Sequence, residues 1–365
     1  MPEKGAKPNV PTLQRRILKA VSSLTSPLLP DDYLEMINPL WSTRELRGRI
    51  ERIDSETADT VTVLIRPGYE WGGHKPGQYL RIGVVVDGVH HWRAYSLTSD
   101  PGRFDGCIAI TPKLVEAGKV SPYLVRRARA GDLVRLGGVE GTFVLPDPVP
   151  EKLLFISAGS GITPIASMLR SLVRNDAVGD VVHIHSARTR ESVIFGERLD
   201  RFHAAEVGFD LRLRITSEQG RIGPADLDDL CPDWRQRHTF ASGPGEMLDD
   251  LTRHWELEGE PALLEMERFQ PIIGGDPGGG GGGAIRFAGS RVEAACDGAT
   301  PILAAGEAAG ATLPYDCRMG ICHTCVGVLR RGQVRDLRTG EVHGSEGEMV
   351  RTCVNAPEGP IEIAL

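Results

Sequence analysis

The chain has 365 residues, 41% of them hydrophobic and 25% charged. These are the proportions of a folded globular protein with room for two or three domains, which excludes extended disorder, collagen-like repeats and a coiled coil for the bulk of it. Lys and Arg number 42 against 49 Asp and Glu, a formal net charge of −7; this removes the attraction to phosphate that non-specific nucleic-acid binding rests on, and no nucleic-acid partner is expected.

From Met1 to Arg16 there is no apolar core of signal-peptide type, and no later stretch approaches the roughly 18 apolar residues of a membrane span. A cytoplasmic protein without a transmembrane segment is expected. Leu13, Ile17, Leu18, Val21 and Leu24 recur at helical spacing beside Arg15, Arg16 and Lys19. They predict an amphipathic helix in an N-terminal extension, residues 1–39. Packing on the body of the protein is favoured over peripheral contact with a membrane-bound partner.

Residues 40–148 read as short strands punctuated by Gly and Pro: Leu46 to Ile53, Thr60 to Arg66, Gln78 to Val85, His91 to Ser96, Gly106 to Thr111 and Leu133 to Leu136. That spacing predicts an antiparallel β-barrel, interrupted by one helix over Pro122 to Ala130. Arg93-Ala94-Tyr95-Ser96 closes a strand, and Gly118-Lys119-Val120-Ser121 opens the helix. A flavin dinucleotide requires a cation, an aromatic face or hydroxyl, and helix N-terminal amides, and these segments offer each. Taken singly, the first is equally an ordinary strand and the second an ordinary helix cap.

From residue 149 to 272 the rhythm changes. Apolar runs at Lys152 to Ser157, Val181 to His185, Leu211 to Thr216, Thr239 to Ser242 and Ala262 to Met266 alternate with helical patterns, which predicts an α/β parallel sheet. Gly159-Ser160-Gly161 lies between the first strand and a helix expected to begin at Pro164, and glycines there let a dinucleotide pyrophosphate reach helix amides. Alone, such a turn is more often a plain loop. Ser186-Ala187-Arg188-Thr189-Arg190 has no acid for a ribose 2′-hydroxyl; Arg188 or Arg190 suits a 2′-phosphate, favouring NADPH over NADH. The plainer reading gives one arginine to the pyrophosphate and leaves the other solvated.

Gly274-Gly275-Asp276-Pro277 and the six glycines Gly278 to Gly283 form a linker, 273–283, expected to be a flexible tether with no packed strand. Residues 284–365 then form a small domain. Of seven cysteines, an odd number, Cys317, Cys322, Cys325 and Cys353 cluster in it with the spacing C-x4-C-x2-C and a distant fourth. Four thiolates in that order are the plant-type [2Fe–2S] pattern. Structural zinc is the alternative, though it usually presents two close CxxC pairs. Gly320 suits a loop that wraps closely around a cluster, while His323 is a loop residue and Cys107, Cys231 and Cys296 are read as buried thiols.

Taken together and in this order, the RxYS, GxxS, Gly159-Ser160-Gly161-Ile162-Thr163-Pro164 and Ser242-Gly243-Pro244 segments resemble the ferredoxin reductase superfamily, followed by a ferredoxin. The resemblance implies a multidomain fold: an antiparallel β-barrel for FAD, an α/β parallel-sheet NAD(P)-binding domain and a C-terminal β-grasp [2Fe–2S] ferredoxin domain. It implies that Arg93, Ala94, Tyr95 and Ser96 meet the flavin and that Gly118, Lys119, Val120 and Ser121 meet its pyrophosphate, FMN being the alternative cofactor. Gly159, Ser160, Gly161, Thr163, Ser186, Arg188, Arg190, Ser242, Gly243 and Pro244 would serve the nicotinamide dinucleotide. Ser96, Glu267 and Phe269 would stand at the reacting rings. Ser242 departs from the cysteine often found before the Gly-Pro.

A hydride carries two electrons and a [2Fe–2S] cluster accepts one, so a flavin that can stop halfway must stand between them. The expected function is electron transfer from NADPH to FAD to the cluster and on to an iron enzyme. Domain order and the run Ser26 to Tyr33 look most like actinobacterial electron-transfer partners of membrane-bound di-iron acyl-CoA desaturases. Reductases of alkane, aromatic or phenylacetyl-CoA hydroxylases and epoxidases are the alternative, and a diaphorase without a protein partner is another.

Overall fold

The computed structural model describes residues 30–116, 118–269, 281–290, 292–315, 320 and 323–365. The expected amphipathic helix, most of the glycine linker, and Cys317 and Cys322 lie outside the described residues. The chain divides into two compact units.

The first unit holds the barrel apart from Val89–Ala94, which belong to the second. Its strands are β1 (Arg47–Thr57), β2 (Thr60–Pro67), β3 (Tyr79–Val86), β4 (Val89–Ser96), β5 (Ile108–Ile110) and β6 (Leu133–Glu140), in the order β4-β3-β6-β1-β2-β5. An antiparallel bridge between Leu97 and Ile110, with Thr98 N–H donating to Ala109 O at 2.8 Å, joins the last strand back towards the first and removes the open edge. Inside lie Ile50, Val63, Ile65, Leu80, Ile82, Leu97 and Ile110, all fully buried. The helix expected over Pro122 to Ala130 is instead one α-turn, Val120–Pro122, running into a π-helical turn, Tyr123–Arg127. Ala128 N–H reaches back five residues to Tyr123 O at 2.9 Å, and Asp132 then accepts from Arg129 N–H at 2.8 Å, turning the chain out before Ala130.

The second unit holds a parallel sheet of β7 (Lys152–Ala158), β8 (Asp180–Ala187), β9 (Phe209–Ile215), β10 (His238–Ser242) and β11 (Leu264–Glu267), in the order β11-β10-β7-β8-β9. β7 is buried over Leu153 to Ser157, as a central parallel strand covered on both faces must be. Helix α1 (Ile162–Arg174) follows β7 and from Thr163 onward belongs to the first unit, and α2 (Gly196–Ala205) follows β8. Helix α3 (Gly245–Glu258) buries Leu248, Leu251 and Trp255, one stripe at helical spacing, with Trp255 against Trp234 at 4.3 Å between ring centroids. At the amino edge, buried Arg237 meets the partly exposed Asp233 and Asp180, each at 2.7 Å, so its buried charge is matched.

After the linker, β12 (Gly283–Phe287) pairs antiparallel with β13 (Val292–Cys296) and parallel with β19 (Ile361–Ala364), which pairs antiparallel with β14 (Val326–Arg331). Strand β17 (Met349–Arg351) closes this mixed sheet. Strands β15 (Val334–Asp336), β16 (Val342–His343) and β18 (Asn355–Pro357) form a second small sheet, and helix α4 (Ile302–Ala308) buries Ile302, Leu303 and Ala305 in the shared core. One expectation fails here. Gly282 and Gly283 are not tether: Gly283 pairs with Cys296, and a Cβ on it would stand 2.1 Å from Gly359 O. Glycine permits that close strand approach.

Candidate functional site

In the parallel sheet, β7 is central: the chain runs outward from it through β8 and β9, then crosses back to β10 on its other side. The carboxyl ends of β7 and β10 therefore flank a topological switch point, where open α/β sheets leave a crevice for ligands. The two loops there are Gly159–Gly161, a 3-10 turn leading directly into α1, and Ser242-Gly243-Pro244, leading into α3. The helix starts at Ile162, two residues earlier than expected, with Pro164 in its first turn, where a missing N–H costs nothing. A Cβ on Gly161 would clash with the Ser242 backbone, and one on Gly243 would meet Met247 and Ala158. Glycine at these positions lets the two loops pack directly against each other at the crevice and leaves their backbone N–H groups uncovered by side chains of their own.

Parallel register sets Glu267, Ser242, Ser157 and His185 side by side across β11, β10, β7 and β8. Ser242 is fully buried, and its Oγ has no hydrogen-bond partner among the described residues. Ser157 Oγ lies 2.8 Å from His183 Nε2 and 2.7 Å from His185 Nδ1. One hydroxyl can donate to one ring and accept from the other, which requires the accepting ring to be neutral. Burial keeps both rings neutral: it lowers His185 to about 4 and pushes His183 well below the ordinary range, helped by the neighbouring His185. Phe269, two residues beyond Glu267, is half-buried, and Arg268 between them is tied to Asp249 at 2.6 Å.

Ser186 is buried at the end of β8, Arg188 is exposed, and Arg190 pairs with Asp200 at 2.5 Å. The register places Arg214 of β9 beside Ser186. Arg214 makes an ion pair with Asp226, and its Nε is buried without a partner among the described residues.

In the barrel unit, Arg93 to Ser96 end β4, with Tyr95 packed on the barrel core and Ser96 buried. Gly118 N–H donates to Val115 O at 2.9 Å, and Val115 N–H donates to Ser121 Oγ at 3.1 Å, so the Gly118–Ser121 segment caps its own loop. Val120 belongs to the barrel core beside Tyr95, and only its backbone remains for a ligand. Lys119 is exposed. Beyond Ser96, the loop from Thr98 to Gly102 is held by α1: Ser167 Oγ donates to Ser99 O at 2.7 Å, Arg170 to Thr98 O, and Arg174 pairs with Asp100 at 3.2 Å. Thr163 is buried at the start of that helix.

Of the four clustered cysteines, Cys325 and Cys353 are described and buried. Cys353 Sγ accepts from Gly320 N–H at 3.2 Å. A backbone donor aimed at a buried sulfur is what a thiolate bound to iron calls for, and Gly320 supplies it at φ +71. His323 is exposed at φ +60, a loop residue. Elsewhere Cys107 and Cys231 are buried, with burial pushing Cys231 to about 12. Cys296 is only half-buried, its thiol facing the carbonyls of Asp297 and Thr300.

Family models match in chain order: an oxidoreductase FAD-binding domain over 58–145, an oxidoreductase NAD-binding domain over 155–252, and a 2Fe-2S iron-sulfur cluster binding domain over 285–358. The chain is 46% identical over 346 residues to an NADPH oxidoreductase of Mycobacterium tuberculosis, covering 93% of this chain and 90% of that protein. The chain belongs to the ferredoxin reductase-like flavoproteins that carry their own C-terminal [2Fe–2S] domain. As such a reductase it is 27% identical over 316 residues to one component of the 1,2-phenylacetyl-CoA epoxidase of Escherichia coli, covering 78% of this chain and 86% of that one. Its fold matches the solved structure of phthalate dioxygenase reductase with a TM-score of 0.56 at 18% identity, covering 87% of this chain and 97% of that one.

The reductase is an oxidoreductase with FAD, a nicotinamide dinucleotide and a [2Fe–2S] cluster as its cofactors. Its residues fit these groups: a glycine-lined crevice at the carboxyl edge, a strand ending in Tyr95 and Ser96 on the barrel, and two buried cysteines, of which Cys353 faces a backbone donor. Sequence reasoning missed Arg214 and the Ser157 pair of histidines. The alternating Leu211-Arg212-Leu213-Arg214 pattern could have signalled the first, whereas the second depends on strand register.

Proposed function

We propose that this reductase draws electrons from NADPH and delivers them to an external oxygen-activating iron enzyme, in first place a membrane-bound di-iron acyl-CoA desaturase. The observation that carries the reading is the union in one chain of hydride-handling domains and a single-electron domain. When bound, NADPH supplies a hydride, FAD divides it into single electrons, and the cluster passes them outward.

Gly159, Ser160, Gly161, Thr163, Gly243 and Pro244 bind the dinucleotide at the crevice. Arg188, with Ser186, takes the 2′-phosphate, because Arg190 is already engaged by Asp200. Arg214, paired with Asp226, still offers a buried Nε–H donor beside Ser186. Ser242 and Glu267 face the nicotinamide, with Ser96 and Phe269 serving the reacting rings. Arg93, Tyr95 and the Gly118–Ser121 backbone hold the flavin, and Cys317, Cys322, Cys325 and Cys353 hold the iron. An external acceptor is supported by the epoxidase relative, and the desaturase among acceptors by the domain order and the N-terminal run Ser26 to Tyr33.

Anaerobic titration with NADPH, following flavin and iron–sulfur absorbance together, tests the relay. Loss of both bands with about three electrons taken up per chain is expected, two for the flavin and one for the cluster. Bleaching of the flavin alone would leave a diaphorase. Acyl-CoA desaturation on adding a membrane desaturase would support the partner; turnover only with a soluble hydroxylase would overturn it.

A further inference from the structure

One short segment, Arg351-Thr352-Cys353, grips the cysteine loop at three points. Arg351 Nη1 donates to Gly320 O at 3.0 Å, Thr352 Oγ1 donates to Cys325 O at 2.8 Å, and Cys353 Sγ accepts from Gly320 N–H at 3.2 Å. Gly320 is thus held on its amide by a candidate cluster ligand and on its carbonyl by a guanidinium. Arg338 lies on the same glycine, its Nη1 3.0 Å from where a Cβ would be. It is bonded through Nε to Asp336 Oδ1 at 2.9 Å and through Nη2 to Oδ2 at 2.5 Å.

Asp336 is buried, yet Arg338 and the charge of Arg351 hold its carboxyl below the ordinary range, so it is ionised. Asp336 and Arg338 cancel. Among the described side chains that grip this loop, Arg351 remains as one positive charge, half-buried and therefore poorly screened. Every electron that enters an iron–sulfur cluster adds one negative charge, and net charge around the cluster is among the factors that set its potential.

We propose that Arg351 is a positioning residue whose charge favours the reduced cluster and so raises its reduction potential. The inference rests on the cluster reading above. It makes transfer from flavin to cluster more downhill, at the cost of driving force for the next acceptor.

The test is a redox titration of the full-length holoprotein, read by the EPR signal of the reduced cluster, in wild type, R351Q and R351K. Gln keeps a donor for Gly320 O and loses the charge, whereas Lys keeps the charge. For R351Q the reduction equilibrium should fall about tenfold, equivalent to about 59 mV for a one-electron couple. R351K should stay within about threefold of wild type, with unchanged g values in both variants. A wild-type potential in R351Q, or an equal fall in R351K, overturns the inference. If R351Q does not load its cluster, D336N, which adds one net positive charge, must raise the potential; an unchanged or lower value overturns the proposal. A wild type without a reduced-cluster signal overturns the cluster reading itself, which distinguishes that failure from this one.

Discussion

A Cβ placed on Gly161 would stand 2.0 Å from the carbonyl oxygen of Ser242. Two loops from strands far apart in sequence therefore touch through a hydrogen atom, at the mouth of the crevice assigned to the dinucleotide. Gly161→Ala forces them apart. NADPH-dependent ferricyanide reduction should lose about tenfold or more in kcat/KM, while flavin and iron contents stay at wild-type levels. Unchanged steady-state kinetics would place the dinucleotide elsewhere.

Arg188 and Arg190 stand two residues apart but differ in company: Arg190 meets Asp200 and Arg188 is exposed. Arg188→Ala should raise KM for NADPH by about tenfold and leave KM for NADH within about twofold, because only NADPH carries the 2′-phosphate. Arg190→Ala should have the smaller effect. Equal losses with both nucleotides would assign Arg188 to the pyrophosphate instead.

Gly320 has φ +71, and a Cβ on it would meet Val354 Cγ2 at 2.8 Å. A side chain there is opposed by both backbone and packing. Gly320→Ala should purify with depleted iron and acid-labile sulfide, yet retain flavin and NADPH-dependent ferricyanide reduction. Full iron content in that variant would show that the loop tolerates a methyl group.

His183 and His185 supply the pH dependence. Unfolded, each takes a proton near the ordinary value of 6.5, while the folded values lie lower, at about 4 for His185. Between those limits the unfolded chain binds more protons, so stability is complete above about pH 6.5 and declines as the pH falls towards 4. The slope is on the order of 1 kcal/mol per pH unit for each histidine. The unfolding midpoint of the α/β domain should therefore drop between pH 7 and 5, and His185→Gln should flatten the decline. Identical slopes in wild type and variant would assign the acid sensitivity to other groups.

The order of the domains was legible because each announces itself locally. Alternating strands with Gly and Pro turns mark the barrel, apolar runs between helical patterns mark the parallel sheet, and Cys317 to Cys325 stand at a spacing that few other sites share. Local signals failed where a longer-range bond competes. The helix after Ser121 loses its expected end to the Ala128 bond with Tyr123 and the Asp132 turn, and the glycine run loses Gly282 and Gly283 to the sheet.

By itself the sequence determined the chemistry on offer: which residues carry thiols, cations and side-chain-free backbone, and in what order along the chain. Only the tertiary structure decided which of them meet. The row of Glu267, Ser242, Ser157 and His185 comes from the register of four parallel strands, and the grip of Arg351 on Gly320 joins residues 31 apart. Spacing along a chain encodes local geometry alone, and such meetings are set by hydrogen-bond ladders and packing between distant segments.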